Sequence, residues 1–143
     1  MKVICKGQYC YEPEFDSNKA HAFELILDFD SDQFKGIAVE EEFTTLTNEV
    51  PTITGFMDNE QISFTKQYPF QFAADENNQI VIDRSKPGHL VVYEGFLNRK
   101  NLEWEGSWEI ISDEVRLSTD VYLAMIESGS WRMRMNQSNE LHE

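Results

Sequence analysis

Little in this chain of 143 residues is basic: twelve Lys and Arg stand against 26 Asp and Glu, a formal charge of −14. The basic residues gather no further than Arg99-Lys100 or Arg132 with Arg134. Phosphate backbones and anionic lipid surfaces need a concentrated positive face, so the composition predicts no nucleic-acid partner and no membrane partner. Cysteine is scarce too. Cys5 and Cys10 are too few for a disulfide framework and suit a reducing, cytoplasmic setting. On an extended strand they lie roughly 16 Å apart and face opposite ways, which predicts two free thiols.

Long apolar runs are missing. After Met1-Lys2 the run Val3-Ile4-Cys5 stops at Lys6, too early for the apolar segment of a signal peptide, and no stretch is long enough to span a bilayer as a helix. Catalytic signatures are missing as well: no Gly-x-Ser-x-Gly, His-Glu-x-x-His, phosphate-binding glycine loop or Cys-x-x-Cys occurs. His21, His89 and His142 are too scattered for a metal signature. Asp28-Phe29-Asp30-Ser31-Asp32 begins like a calcium-binding EF-hand loop. Gln33 stands where glycine is needed and Val39 where a bidentate Glu is needed, which leaves an acidic hairpin turn. Neither a metal nor another cofactor is expected. Enzyme activity has no motif behind it. Asn136-Gln137-Ser138 matches a glycosylation acceptor, which carries little weight where no secretion signal accompanies it.

What the chain does have is aromatic content, ten Phe, five Tyr and three Trp, and a repeated alternation of apolar and polar residues. The alternating runs are Val3 to Tyr11, Phe23 to Phe29, Phe34 to Phe43, Thr52 to Met57, Gln61 to Tyr68, Gln79 to Asp83, His89 to Leu97, Leu102 to Ile111 and Ser130 to Met135. Turn residues separate them, among them Asp30-Ser31-Asp32, Asp58-Asn59-Glu60, Ser85-Lys86-Pro87-Gly88 and Asn98 to Asn101. This predicts one all-β domain over 1–143, an antiparallel up-and-down meander closed into a barrel of about 8–10 strands. Over 113–127 the period fails. The run Val121 to Ile126 reads as a buried strand or a short helix, with strand the better fit.

Several of these runs form a spaced pattern: Ile53-x-Gly55, Ile62-x-Phe64-x-Lys66-x-Tyr68, His89-x-Val91-x-Tyr93-x-Gly95, Trp104-x-Gly106-x-Trp108-x-Ile110 and Gly129-x-Trp131-x-Met133. It covers roughly half of the chain and resembles the small calycin-like barrels, the group that includes avidins and lipocalins. The opening strand carries Gly7-Gln8-Tyr9 where those families carry Gly-x-Trp. The biotin-contacting residues of avidins have no residue-by-residue counterpart here, so the resemblance implies the fold and not biotin binding.

Alternation also sorts the faces. Ile62 and Phe64 turn inward, taking Lys66 and Tyr68 with them; Val91 turns His89 and Tyr93 inward; Trp104, Trp108, Ile110, Trp131 and Met133 follow. Glu40 joins the interior if Phe34, Gly36 and Ala38 line it, and Glu41 does so if Ile37, Val39 and Phe43 line it instead. The candidate ligand-binding set is therefore Lys66, Tyr68, His89, Tyr93, Trp104, Trp108, Trp131 and Glu40. A buried lysine needs a carboxylate, a hydroxyl, water or a ligand. The expected function is a non-catalytic barrel holding a small, partly apolar ligand. The alternatives are an acidic protein-interaction domain with a filled barrel, and an enzyme built on interior Lys, His and Glu.

Overall fold

The computed structural model describes residues 1–40, 49–74, 77, 80–83, 88–116 and 122–137. Ten strands follow one another: β1 (Lys2–Cys10), β2 (His21–Asp30), β3 (Gln33–Glu40), β4 (Thr52–Asp58), β5 (Gln61–Gln67), β6 (Gln71–Ala74), β7 (Ile80–Asp83), β8 (Leu90–Asn98), β9 (Glu103–Arg116) and β10 (Tyr122–Gln137). Eight of them close a barrel in the order β1-β10-β9-β8-β5-β4-β3-β2, every pair antiparallel. The expected up-and-down meander is borne out. Closure pairs β1 with β10 and leaves no open edge in the main sheet.

The strand expected at Gln79 to Asp83 exists as β7 but stays out of the barrel. It pairs with β6, which the alternation did not reveal, and the two form a separate hairpin between β5 and β8. Barrel strand β5 pairs instead with β8. The reason lies in register: Gln61 to Gln67 already matches Leu90 to Phe96 residue for residue, so the segment between them is an insertion. In the ambiguous segment, the described residues of 113–127 are strand. Expected features at Glu41 to Phe43, Gln79, Ser85 to Pro87, Val121, Ser138 and His142 fall outside the described residues. The only helical element among the described residues is a 3₁₀ turn, Ser17–Lys19, capped by the Asp16 side chain accepting from the Asn18 amide at 2.9 Å.

Three tight turns, at 30–33, 58–61 and 98–103, gather with Met1 at one end of the barrel, here the turn end. Ser31, Asn59 and Leu102 have left-handed backbone there, with φ of 59°, 56° and 58°. Asn suits that conformation; a leucine is an unusual occupant. The 11–20 connection, residues 49–51 and the departure point of the β6–β7 excursion lie at the opposite, loop end.

The core is the inward side of the wall: Val3, Cys5, Phe23, Leu25, Leu27, Phe34, Ile53, Ile62, Phe64, Val91, Tyr93, Trp104, Trp108, Trp131 and Met133 are all buried. Trp131 crosses the middle, edge-on to Phe64 and Tyr93 with centroids 5.6 and 6.0 Å away, while Phe64 and Tyr93 stack at 4.5 Å. Gly95 makes room for that ring, since a Cβ there would lie 2.7 Å from Trp131 Cζ2, and its partner Gly106 lets the two strands approach closely, a Cβ there lying 2.5 Å from the Gly95 Cα. The indole N–H of Trp131 donates to the Ser107 carbonyl at 2.9 Å, so the ring is buried without a lost hydrogen bond.

Candidate functional sites at the two ends of the barrel

At the loop end, alternation along β3 and β5 carries two charged side chains inward behind their apolar neighbours. Phe34 and Ala38 face the core and Glu40 follows them; Ile62 and Phe64 do the same for Lys66. The Lys66 ammonium donates to Glu40 Oε2 at 2.9 Å and to the Tyr93 hydroxyl at 2.7 Å, and the Tyr68 hydroxyl donates to Glu40 Oε1 at 2.6 Å. The ammonium also lies 5.0 to 5.5 Å from the ring centroids of Tyr68, Tyr93 and Tyr9. Side-chain exposure is 5% for Lys66 and 1% for Glu40. Among the described residues, no buried side-chain nitrogen or oxygen is left without a partner.

These contacts set the protonation of the cluster. Burial alone would depress the Lys66 pKa, but the Tyr93 hydroxyl and the Glu40 carboxylate outweigh it and hold the ammonium above its ordinary value. Burial pushes the Tyr68 hydroxyl up, and the Glu40 charge adds to the shift. Tyr93 is likewise raised by burial, against the opposing pull of Lys66. Both tyrosines are thus held neutral and the lysine protonated.

An aromatic mouth lies above it. Tyr9, Tyr11, His21 and Trp108 contact one another edge-on or tilted, with centroids 5.2 to 6.3 Å apart, and the Trp108 N–H donates to the Cys10 carbonyl at 3.0 Å. Between this mouth and Lys66 there is a gap of about 20 Å³, lined by Tyr9, Tyr11, Lys66, Tyr68, Val91, Tyr93, Trp108 and Ile110. That is room for a single water. On the Phe23, Leu25 and Ala38 side of the cluster there is no room for one.

The turn end differs. Val3 and Trp104 form the floor of an open bowl of about 430 Å³. Phe29, Met57, Leu97, Met135 and Leu102 stand around it, with Met1, Ser31 and Asp32 at the rim. Leu102 keeps two thirds of its surface exposed, 66%, although its amide is fixed by the Asn98 carbonyl at 2.8 Å. Asp32 is the only ionisable side chain in the lining.

The eight residues expected to share one site therefore divide. Lys66, Glu40, Tyr68 and Tyr93 are in direct contact, with Trp108 beside them at the loop end. Trp131 fills the middle. Trp104 belongs to the opposite mouth. His89 precedes β8 and is only half-buried, its carbonyl accepting the Tyr68 amide at 3.0 Å, rather than lining the interior as the alternation predicts. It stands at the barrel's loop-end rim, one residue before β8 begins. Sequence reasoning missed the Tyr9, Tyr11 and His21 side of the aromatic mouth and the methionines of the bowl. Alternation in β1 and β2 was the available signal for Tyr9, Val3 and Phe29; Met1, Met57 and Met135 sit at strand ends, where alternation says little.

Comparison with known proteins agrees with the geometry. No family model matches the sequence, and no curated protein is significantly similar to it. Among solved structures, the crystal structure of rhizavidin aligns with a TM-score of 0.50 over 91% of this chain and 81% of its own, at 12% identity. The fold is a calycin-like barrel. At that identity the likeness extends to the fold and no further. No helix among the described residues is long and apolar enough to cross a membrane.

Proposed function

We propose that this calycin-like barrel is a non-catalytic binding protein for a small, largely apolar ligand, held in the bowl at the turn end. The observation that carries the reading is the bowl itself: about 430 Å³ of open space floored by Trp104 and walled by Phe, Leu and Met side chains. Ligand sites typically occupy about 300–1,000 Å³, are mostly apolar and favour the mouths of barrels. Methionines at the wall adapt to an irregular guest. With Asp32 as the only ionisable side chain in the lining, the bowl suits holding a molecule better than transforming it. The Lys66 cluster then serves as the filled floor that closes the barrel from the other side. Two unpaired, buried cysteines support a reducing, cytoplasmic setting.

A second reading puts the ligand over Lys66, favoured by the aromatic mouth and the gap beneath it. It requires the exposed Tyr11 ring to swing aside. Tryptophan position separates the two. Titration with 1-anilinonaphthalene-8-sulfonate and with a panel of small aromatic and aliphatic compounds, read by tryptophan emission, should give saturable binding whose signal is lost in Trp104→Phe and kept in Trp108→Phe. The reverse pattern moves the site to the loop end. Absence of saturable binding in the wild-type protein rejects both.

A further inference from the structure

The outer wall carries a feature that neither mouth explains. Phe56 on β4 and Phe96 on β8 are 53% and 57% exposed, and both line an open groove of about 490 Å³. The rest of the lining is Gln61, Ile62, Ser63, Glu94, Gly95, Gly106 and Ser107. Pairing fixes the arrangement. Ser63 lies between Phe56 on one side and Glu94 on the other, and Glu94 in turn pairs with Ser107. Phe96 is two residues beyond Glu94 on the same strand and so on the same face. Small residues thus make the floor, two phenyl rings make the walls, and a carboxylate stands between them.

The one charged side chain in the groove lining, Glu94, is acidic; the nearest cations, Lys35 opposite Thr54, Arg132 opposite Glu105 and Arg99 bonded to Glu60, stand outside the lining. The outward side chains of β4, β5 and β8 include no Lys or Arg, since the one cation on these strands, Lys66, points inward. Glu105, paired with Phe96, and Glu109, paired with Val92, extend the acidic stripe along β9. Among the described residues, Glu94 and Glu109 have no cationic partner. Exposed phenyl faces attract cations, and a guanidinium, planar and more weakly hydrated than an ammonium, gains more from stacking on an aromatic ring. A second copy of the chain fits badly: it would bring a net −14 against −14 and set Glu94, Glu105 and Glu109 near their own equivalents.

We infer that the groove between Phe56 and Phe96 is a docking surface for an arginine-bearing basic segment of a partner protein, with Glu94 pairing the guanidinium. The apolar walls supply the specificity, and the −14 charge of the whole molecule accelerates encounter with a basic partner.

The test uses the full chain and a fluorescein-labelled nona-arginine peptide, followed by anisotropy at fixed ionic strength, with nona-lysine as the matched cation. Nona-arginine should bind at least threefold more tightly than nona-lysine. Phe56→Ala, Phe96→Ala and Glu94→Gln should each weaken nona-arginine binding about tenfold. Glu24→Gln removes the same charge from β2, diametrically across the barrel from β8, and should change binding less than twofold. Both phenylalanines are exposed, so melting temperatures should stay near the wild-type value. Equal effects of Glu94→Gln and Glu24→Gln, or unchanged binding in both phenylalanine variants, would overturn the inference and leave a solvated acidic wall. A dimer in sedimentation equilibrium that Phe96→Ala dissociates would overturn it too, assigning the face to self-association.

Discussion

Lys66 and Glu40 meet at 2.9 Å across β4, the strand that separates their own. They are not ladder partners of each other, Glu40 pairing with Phe23 on β2 and Lys66 with Ile53 on β4, so the contact forms only when β3, β4 and β5 have assembled. Exchanging a buried ion pair for apolar side chains is often neutral, whereas removing one partner leaves a buried charge and costs about 3–5 kcal/mol. Lys66→Met should therefore lose that much stability, visible in urea unfolding and as a melting temperature lower by roughly 10 °C. Adding Glu40→Gln removes the stranded charge and keeps an acceptor for the Tyr68 hydroxyl. The double variant should be more stable than Lys66→Met alone; equal or lower stability would show that the pair is not the organising element of this end.

The same cluster predicts how stability depends on pH. Lys66, Tyr68 and Tyr93 all titrate above their ordinary values in the folded protein. In the unfolded chain lysine releases its proton near pH 10.4 and tyrosine near pH 10. The native state then binds more protons than the unfolded one, so stability is complete below about pH 10 and falls as pH rises beyond it. Absorbance at 295 nm during an alkaline titration should show Tyr68 and Tyr93 ionising only together with unfolding followed by circular dichroism. Ionisation of all the tyrosines near pH 10 with the barrel intact would contradict this account.

How much of this could be read in the residues follows from what alternation measures. A period of two reports which face is inward, so it placed Lys66, Tyr93, Trp104, Trp108 and Trp131 inside, and made Glu40 follow Phe34 and Ala38. It does not report height along the barrel axis. Trp104 and Trp108 share a face of β9 yet serve opposite ends, because four residues of strand span roughly 13 Å. Nor does it report membership: β7 alternates like a barrel strand, and only the residue-for-residue match of β5 to β8 excludes it. His89 is only half-buried because it stands at the rim, where the barrel wall ends. The bowl was invisible because its strand residues, Val3, Phe29, Met57, Leu97, Trp104 and Met135, come one each from six strands and share only a height along the axis, where Met1 and the turn residues Ser31, Asp32 and Leu102 join them.

The two cysteines are both buried but in different surroundings. Cys5 faces the core, where burial pushes its thiol up to about 12. Cys10 faces outward beneath the chain that follows β1; its sulfur lies 3.3 Å from Ser130 Oγ, which itself donates to the Glu12 carbonyl at 2.8 Å. Burial raises the Cys10 thiol, and its hydrogen bonds with the Ser130 side chain and with the backbone at Asp16, Glu12 and Ser130 outweigh it, leaving the pKa lowered. Denatured without reductant, the protein should yield two thiols. In the native state iodoacetamide at pH 8 should label Cys10 first, and preferential labelling of Cys5 would refute the assignment.

Leu102 links the backbone of the turn end to the proposed ligand. Its left-handed conformation costs an L-residue about 1–2 kcal/mol, and at 66% exposure its side chain recovers little of that by burial. Backbone held in a disfavoured region is concentrated at functional sites, where the position of the side chain outweighs the strain. Leu102→Gly removes the steric penalty and keeps the amide bond to the Asn98 carbonyl, although glycine also gains freedom in the unfolded chain. The net effect should be a gain of about 0.5–1 kcal/mol in stability. The same change strips one wall from the bowl. Binding of 1-anilinonaphthalene-8-sulfonate should weaken several-fold while the melting temperature rises, a divergence that a purely structural leucine would not produce. A variant that is less stable and binds the dye as the wild type does would remove Leu102 from the site and weaken the case for the bowl as the ligand's seat.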